Sequence, residues 1–263
     1  MKTILFVCVI AVAICSAAKL PNEIPRCKFQ DTNCLESAIQ RSVRLLKDGD
    51  RKLNLNALEP LHVTAINIDT GAGNFRLKLD LMELDITGFS TIENVKIQSK
   101  GDDQLSWVLT GHVPKVEVKG KYKADGQVLV LPVQGDGDAN ISLLSSFVRS
   151  HICTQNRLLN GSQTILILPI IKETDQRPQR KGKAYMQLNQ FDVKFNAKRV
   201  TMHFDNLFNG DKVLGDNLNN FINENWQEIF KEVQPALEDS LAQIFLEITN
   251  RFFNKVPFDE VYL

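Results

Sequence analysis

Hydrophobic and polar positions follow three successive rhythms along the chain after an apolar leader. Leu35, Ala38, Ile39, Val43 and Leu46 recur at helical spacing, so the segment Asn33 to Lys47 reads as a short helix, stopped by Lys47-Asp48-Gly49. Leu53 to Pro60 reads as a loop. From Leu61 to about Phe208 the period changes to two. Phe75 to Leu81 alternates strictly, which predicts a half-buried strand. The phase flips near Met82, where a bulge would reverse the inward face before Leu84 and Ile86 continue it. Lys115 to Tyr122 alternates again. Ala124-Asp125-Gly126 reads as a hairpin turn, with Gln127 to Val133 as the returning strand. Ile165 to Ile171 is a continuous apolar run suited to a covered strand. Tyr185 to Leu188, Phe191 to Phe195 and Val200 to Phe204 alternate as well. Short turns in sequence order imply an antiparallel meander.

After Asn209-Gly210 the period returns to that of a helix and holds to about Val256. Leu218, Phe221, Ile222, Trp226, Ile229, Val233, Leu237, Leu241, Ile244, Phe245, Ile248 and Phe252 mark one wide apolar face. Some 40 residues of helix would extend about 60 Å. Pro235 is expected to kink it near its middle. The fold class is therefore α+β: a long antiparallel sheet, strongly curved by its own twist, wrapped around one long C-terminal helix, plus a short N-terminal helix. Alternation points Phe75, Leu77, Leu79, Val116, Val118, Val193 and Phe195 inward. The helix adds Phe221, Trp226, Phe230, Leu241 and Phe245, with Phe252 and Phe253 near its end. Such an interior either packs solid or leaves an apolar tunnel. The same residues would be plain core in the first case and tunnel wall in the second.

The N-terminus changes the picture by adding a compartment. Lys2, the apolar run Ile4 to Ile14, and the small residues Ser16, Ala17 and Ala18 have the order of a secretory signal peptide. Residues 1–18 are expected to be cleaved, leaving 19–263 as a single domain. The run is too short for a membrane span, and charges interrupt every later apolar stretch, so stable membrane insertion is not expected. The 31 basic residues equal the 31 acidic ones, which gives no reason to expect a nucleic-acid partner. Of five cysteines, Cys8 and Cys15 leave with the signal. Cys27 and Cys34 are the natural disulfide pair in an oxidising compartment; a metal or redox pair is the competing reading, although their spacing matches neither CxxC nor common zinc motifs. Cys153 is either a buried free thiol or an intermolecular bridge. Asn140 and Asn160 head glycosylation sequons, and Asn160-Gly161 has the look of an exposed turn.

Catalytic constellations are absent from the sequence. It has no G-x-S-x-G, H-E-x-x-H, P-loop or CxxC. Gly135-Asp136-Gly137-Asp138 resembles a fragment of a calcium loop, but lacks the other ligands and reads as a turn. His62, His112, His151 and His203 are scattered over strand-like segments, so no metal site and no cofactor is expected. Arg177, Arg180, Lys181 and Lys183 form a small basic hairpin tip.

Pro114 to Ile141, with its Lys-Tyr-Lys-Ala-Asp-Gly centre and Gly-Asp-Gly-Asp continuation, resembles the central signature of the insect takeout / juvenile hormone-binding protein family. Asn206 to Asp216 before the long helix, and Cys27 and Cys34 before the first, resemble the same family. The single disulfide resembles the takeout branch, since hormone binders of the family tend to carry a second. Glu59 stands where the family usually has Asp. The resemblance implies a tubular lipid-binding fold and an extracellular carrier, not an enzyme. Its ligand would be juvenile hormone, a terpenoid or a fatty-acid-like molecule. For the takeout branch it implies roles in feeding, circadian output and chemosensation. Tyr122 and Tyr185 are the polar candidates for orienting such a ligand. Burying ~300 Å2 of it at about 25 cal/mol per Å2 corresponds to micromolar affinity. A lipid-surface or host-defence protein of the same fold, using the basic tip, is the alternative. A cell-surface receptor is left unspecified.

Overall fold

The computed structural model describes residues 18–28, 31–72, 75–99, 106–128, 131–153, 179–180 and 183–263. In chain order these form α1 (Thr32–Leu45), β1 (Leu61–Ala72), β2 (Phe75–Thr87), β3 (Glu93–Ser99), β4 (Ser106–Val128), β5 (Leu131–Cys153), β6 (Gln179–Arg180), β7 (Lys183–Ala184), β8 (Gln190–Asn196), β9 (Arg199–Phe204), α2 (Lys212–Glu224), α3 (Trp226–Phe253) and α4 (Phe258–Val261). Asp31 caps α1 by accepting from the Cys34 amide. The expected runs at 165–171, Asn160, Arg177 and Lys181 lie outside the described residues, as does the side chain of Cys153.

Two strands of 23 residues, β4 and β5, form the spine of the sheet. They pair antiparallel from Ser106 opposite Cys153 to Val128 opposite Leu131. At 3.3 Å per residue the spine is about 75 Å long. Each long strand carries two short ones on its outer side. β2 pairs with β4 from Glu117 to Val128 and β3 from Trp107 to His112. β9 pairs with β5 from Ala139 to Leu144 and β8 from Phe147 to Cys153. β1 completes the β2 flank, and all pairings are antiparallel.

The expected phase flip in β2 is present. Its register slips between Met82 and Asp85, and Glu83 takes φ 49°. A second flip was not read from the sequence. Val116 and Leu143 face inward together, yet so do Val113 and Ser146 three residues away, with Ser145 at φ 54° between them. The spine thus changes its inward face once, in both strands together.

Two sequence expectations fail at glycines. Ala124-Asp125-Gly126 is not a turn but part of β4, paired with residues 77–79 of β2, and the reversal falls beyond Val128. Gly135-Asp136-Gly137-Asp138 likewise lies inside β5. These glycines serve close approach rather than reversal. A Cβ on Gly135 would stand 2.6 Å from the Tyr122 hydroxyl, because residues 206–207 cross the strand there.

The long helical stretch is not continuous: it is broken at Asn225, an interruption the sequence pattern did not mark, whereas Pro235 lies inside the unbroken α3. The Asn225 side-chain amide donates to Phe221 O at 2.8 Å and closes α2. Pro235 is exposed within α3, so the carbonyl it leaves unbonded faces water.

The helices close the sheet's free edge with side chains. Asn219 accepts from Phe204 N at 3.0 Å and donates to Phe204 O at 2.9 Å. Asn223 does the same for Met202, at 2.9 and 2.6 Å. On β8, Glu238 accepts from Phe195 N at 3.2 Å while Gln234 donates to Phe195 O at 2.6 Å. Asn250 holds both backbone groups of Leu188 at 2.8 and 2.9 Å. Each side chain satisfies backbone groups that would otherwise template another strand. Glu59 accepts from the amides of Gly88 and Ser90, pinning the turn after β2.

The main core runs between the sheet's inner face and α2 and α3. A second cluster, with Leu20, Ile24, Cys27, Ala38, Leu46, Leu53 and Val256, joins the two ends of the chain. Cys27 and Cys34 are disulfide-bonded, with Cα atoms 5.6 Å apart. Cys27 also bridges to Tyr262, and the Leu263 amide donates to its carbonyl.

Candidate functional site

Between the sheet and the first half of α3 lies a cavity of about 60 Å3 whose wall is apolar throughout. β2 supplies Leu77, Leu79 and Leu81, and β4 supplies Tyr122, Ala124 and Val128. Met202 and Phe204 come from β9, and Ile229, Phe230, Val233 and Leu237 from α3. Several water-sized volumes would fit, but no polar partner holds water there, so the space is suited to hydrocarbon.

Leu77, Leu79, Tyr122 and Phe230 thus come together from the residues expected to face inward. Val116, Val118, Phe195, Phe221, Trp226, Leu241 and Phe245 belong to the same core outside the cavity wall. Val193 is buried but borders a different cleft, and Tyr185 is buried beside Pro257. Phe75 begins β2, but its side chain is outside the described residues. The expected inward set left out Ile68, Ala124, Val128, Met202 and Phe204, while Ile222, Ile229, Val233 and Leu237 were marked only as part of the helix's apolar face. Alternation in Val200 to Phe204 marked two of them; their convergence on one space depends on the sheet's curvature.

The one polar group on the wall is already engaged. The Tyr122 hydroxyl donates to Asp205 O at 2.6 Å, and its ring packs edge-on to Phe204 at 4.9 Å. Burial, aided by Asp136 and Asp205, pushes its pKa up to about 12. Because the folded value is raised, the stabilisation is full below the unfolded value near pH 10 and is lost as pH climbs through the folded one. Tyr122→Phe is expected to cost about 1–2 kcal/mol by orphaning Asp205 O. It should also shrink the loss of stability between pH 10 and 12, read from denaturant midpoints at stepped pH. An unchanged midpoint at pH 7 would refute the bond's contribution.

A second cleft of about 340 Å3 lies where β5 and β8 meet α3, bordered by Arg149, His151, Asp192, Lys194 and Asp239. Its charges are of both signs. The hydrogen bond from Lys194 to buried Glu238 raises the Lys194 pKa and clamps α3 to β8. The four histidines sit apart. His62 meets Asp85, His112 meets Glu93, His151 meets Ser106, and His203 meets Asp205. Among the described residues no three metal-ligating side chains gather. Lys183, at the base of the basic tip, lies 3.9 Å from Asp259.

The sequence matches the model of the haemolymph juvenile hormone binding protein (JHBP) family over residues 3–165 and 171–263. The chain belongs to this family. Within the JHBP frame its curated relatives include the circadian clock-controlled protein daywake of Drosophila melanogaster. That protein is 27% identical over 250 residues, covering 92% of this chain and 88% of the relative. Daywake of Drosophila yakuba is 26% identical over the same length. The crystal structure of Takeout 1 from Epiphyas postvittana superposes with a TM-score of 0.73 at 22% identity, covering 90% of this chain and 98% of that one. At that identity the likeness speaks for the fold: the takeout architecture of a curved antiparallel sheet, a long C-terminal helix and a short N-terminal one. Among the described residues no helix of this JHBP-family chain is long and apolar enough to cross a membrane.

Proposed function

We propose that the protein is a secreted carrier that holds a small lipophilic ligand between its sheet and α3. The observation that carries this reading is the cavity wall, which offers a ligand nothing but apolar surface. Family membership supports it, and so does the disulfide, which suits an oxidising extracellular fluid. The signal-like residues 1–18 would deliver the chain there. Juvenile hormone, a terpenoid or a fatty-acid-like molecule has the required chemistry. At about 60 Å3 the cavity accommodates only part of such a ligand, so the rest would lie along α3 in a tunnel opened by binding. Burial of apolar surface supplies the affinity, and no catalytic group is needed.

Native mass spectrometry of the secreted protein, followed by organic extraction, tests the proposal. A co-purifying lipophile is expected. In parallel, Ala124→Leu places a larger side chain into the cavity. It should weaken binding of a fluorescent lipophilic probe by at least about tenfold, with the thermal midpoint held or raised. Solvent-only extracts together with no probe binding by the unsubstituted protein would sink the carrier reading.

A further inference from the structure

The cavity is short, and its continuation along α3 is unevenly packed. Just beyond it, the sheet contributes Leu84, Ile86, Val113, Val116, Leu143 and Val200, all buried to 8% exposure or less. On α3 the next core-facing residues, Leu241, Ile244, Phe245 and Ile248, are only half-buried although they pack on the same core. A chain growing out of the cavity therefore meets a rigid sheet wall and a looser helix wall. Two helical turns past Leu237, about 12 Å along α3, the path is crossed by three rings. Phe245 meets Phe89 edge-on, with centroids 5.3 Å apart and planes at 79°. It meets Phe191 at 5.9 Å and 35°. Phe89 lies in the turn after β2 and Phe191 in β8, so the two rings reach Phe245 from opposite flanks of the sheet.

Resting on the carrier reading, we infer that the Phe89–Phe245–Phe191 cluster sets the longest hydrocarbon chain the protein accepts. The cavity wall has no unengaged polar group, so the ligand enters tail first, as an unsubstituted alkyl or isoprenyl end. Chains that end before the cluster lie in the cavity and the loosened space beside Leu241. Longer chains must turn Phe245 out of contact with both neighbours. Phe245 is half-buried, is the bulkiest of the four half-buried core residues of α3 here, and is the ring common to both contacts, which makes it the movable member. Phe89 and Phe191 hold it in place.

The test is displacement of N-phenyl-1-naphthylamine from the secreted protein by straight-chain saturated alcohols, from decanol to eicosanol. In the unsubstituted protein, affinity should rise with each added carbon and fall beyond a cut-off. Phe245→Ala clears about one helical turn of path, ~5.4 Å, and should move the cut-off up by about four carbons. Phe89→Leu and Phe191→Leu keep a packed aliphatic side chain and should move it the same way by less. If Phe245→Ala does not fold, the two leucine variants decide the matter. Binding without a cut-off, or the same cut-off in every folded variant, overturns the inference while leaving the carrier reading intact. Failure of every alcohol and of the probe to bind the unsubstituted protein overturns both.

Discussion

Replacing Asn219 by Leu will destabilise the protein by about 2–4 kcal/mol. Leu keeps the heavy-atom count and the branch at Cγ but its methyl groups are bulkier than the amide, so the loss combines the missing hydrogen bonds with some overpacking. Asn219 is 7% exposed and serves both backbone groups of Phe204 on β9. Without it a buried amide and a buried carbonyl lose their partners, and each orphan costs about 1–3 kcal/mol. Asn219→Asp separates the two bonds. A carboxylate still accepts from Phe204 N, but it faces Phe204 O with no proton to give. Its loss should be no smaller than that of the Leu variant at pH 7 and should lessen as acid protonates the carboxyl. Asn223, half-buried and bonded to Met202 in the same manner, should cost about 1–2 kcal/mol when replaced by Leu. Urea midpoints at constant slope measure all three. A change below about 0.5 kcal/mol for Asn219→Leu would show that water or a shifted helix takes over the bonds.

The second large effect lies at Gly126. Its φ is +144°, and a Cβ there would stand 2.0 Å from the carbonyl oxygen of Arg76 on the adjoining strand. That contact is with backbone, so no rotamer change relieves it. Gly126→Ala should cost more than about 4 kcal/mol or prevent folding, since β2 and β4 must part for the methyl group to fit. Gly71, in the edge strand β1, is the internal control. Nothing lies within 4 Å of its Cβ position, and its φ is ordinary. Gly71→Ala should change stability by less than about 0.5 kcal/mol. Chemical denaturation with circular dichroism reads both. Equal effects at the two positions would mean that β-strand propensity, not the close approach, governs Gly126.

Both predictions concern residues whose importance was hidden in the linear pattern. Asn219 and Asn223 are polar positions on a helix, and their spacing alone would place them at the margin of its apolar face. Their bonds are made to residues 15 and 21 positions earlier in the chain. Gly126 follows Ala124-Asp125, which locally has the chemistry of a turn. Only the pairing of β2 across from it shows that the glycine is needed within a strand. Asn225 and Pro235 teach the same lesson in one helix. Proline is the stronger breaker in isolation, yet α3 runs unbroken through it on its exposed side. The interruption is where α2 has to swing from β9 toward β8.

By itself the sequence determined the class of this protein: alternation over the middle, a helical period at both flanks, a cysteine pair at the start of the first helix, and the motifs that mark a takeout-like member of the JHBP family. Those are local quantities, since the direction of each side chain relative to its own backbone follows from a period of two or 3.6 residues. The tertiary structure alone decided where the 23-residue spine reverses its inward face, which amides close the free edge, and that the interior keeps a cavity beside Tyr122 and Phe230 rather than beside Tyr185. The reason is physical. Free volume and edge satisfaction depend on how segments many residues apart are set against one another, and the curvature of the sheet, not the period of any strand, sets that distance.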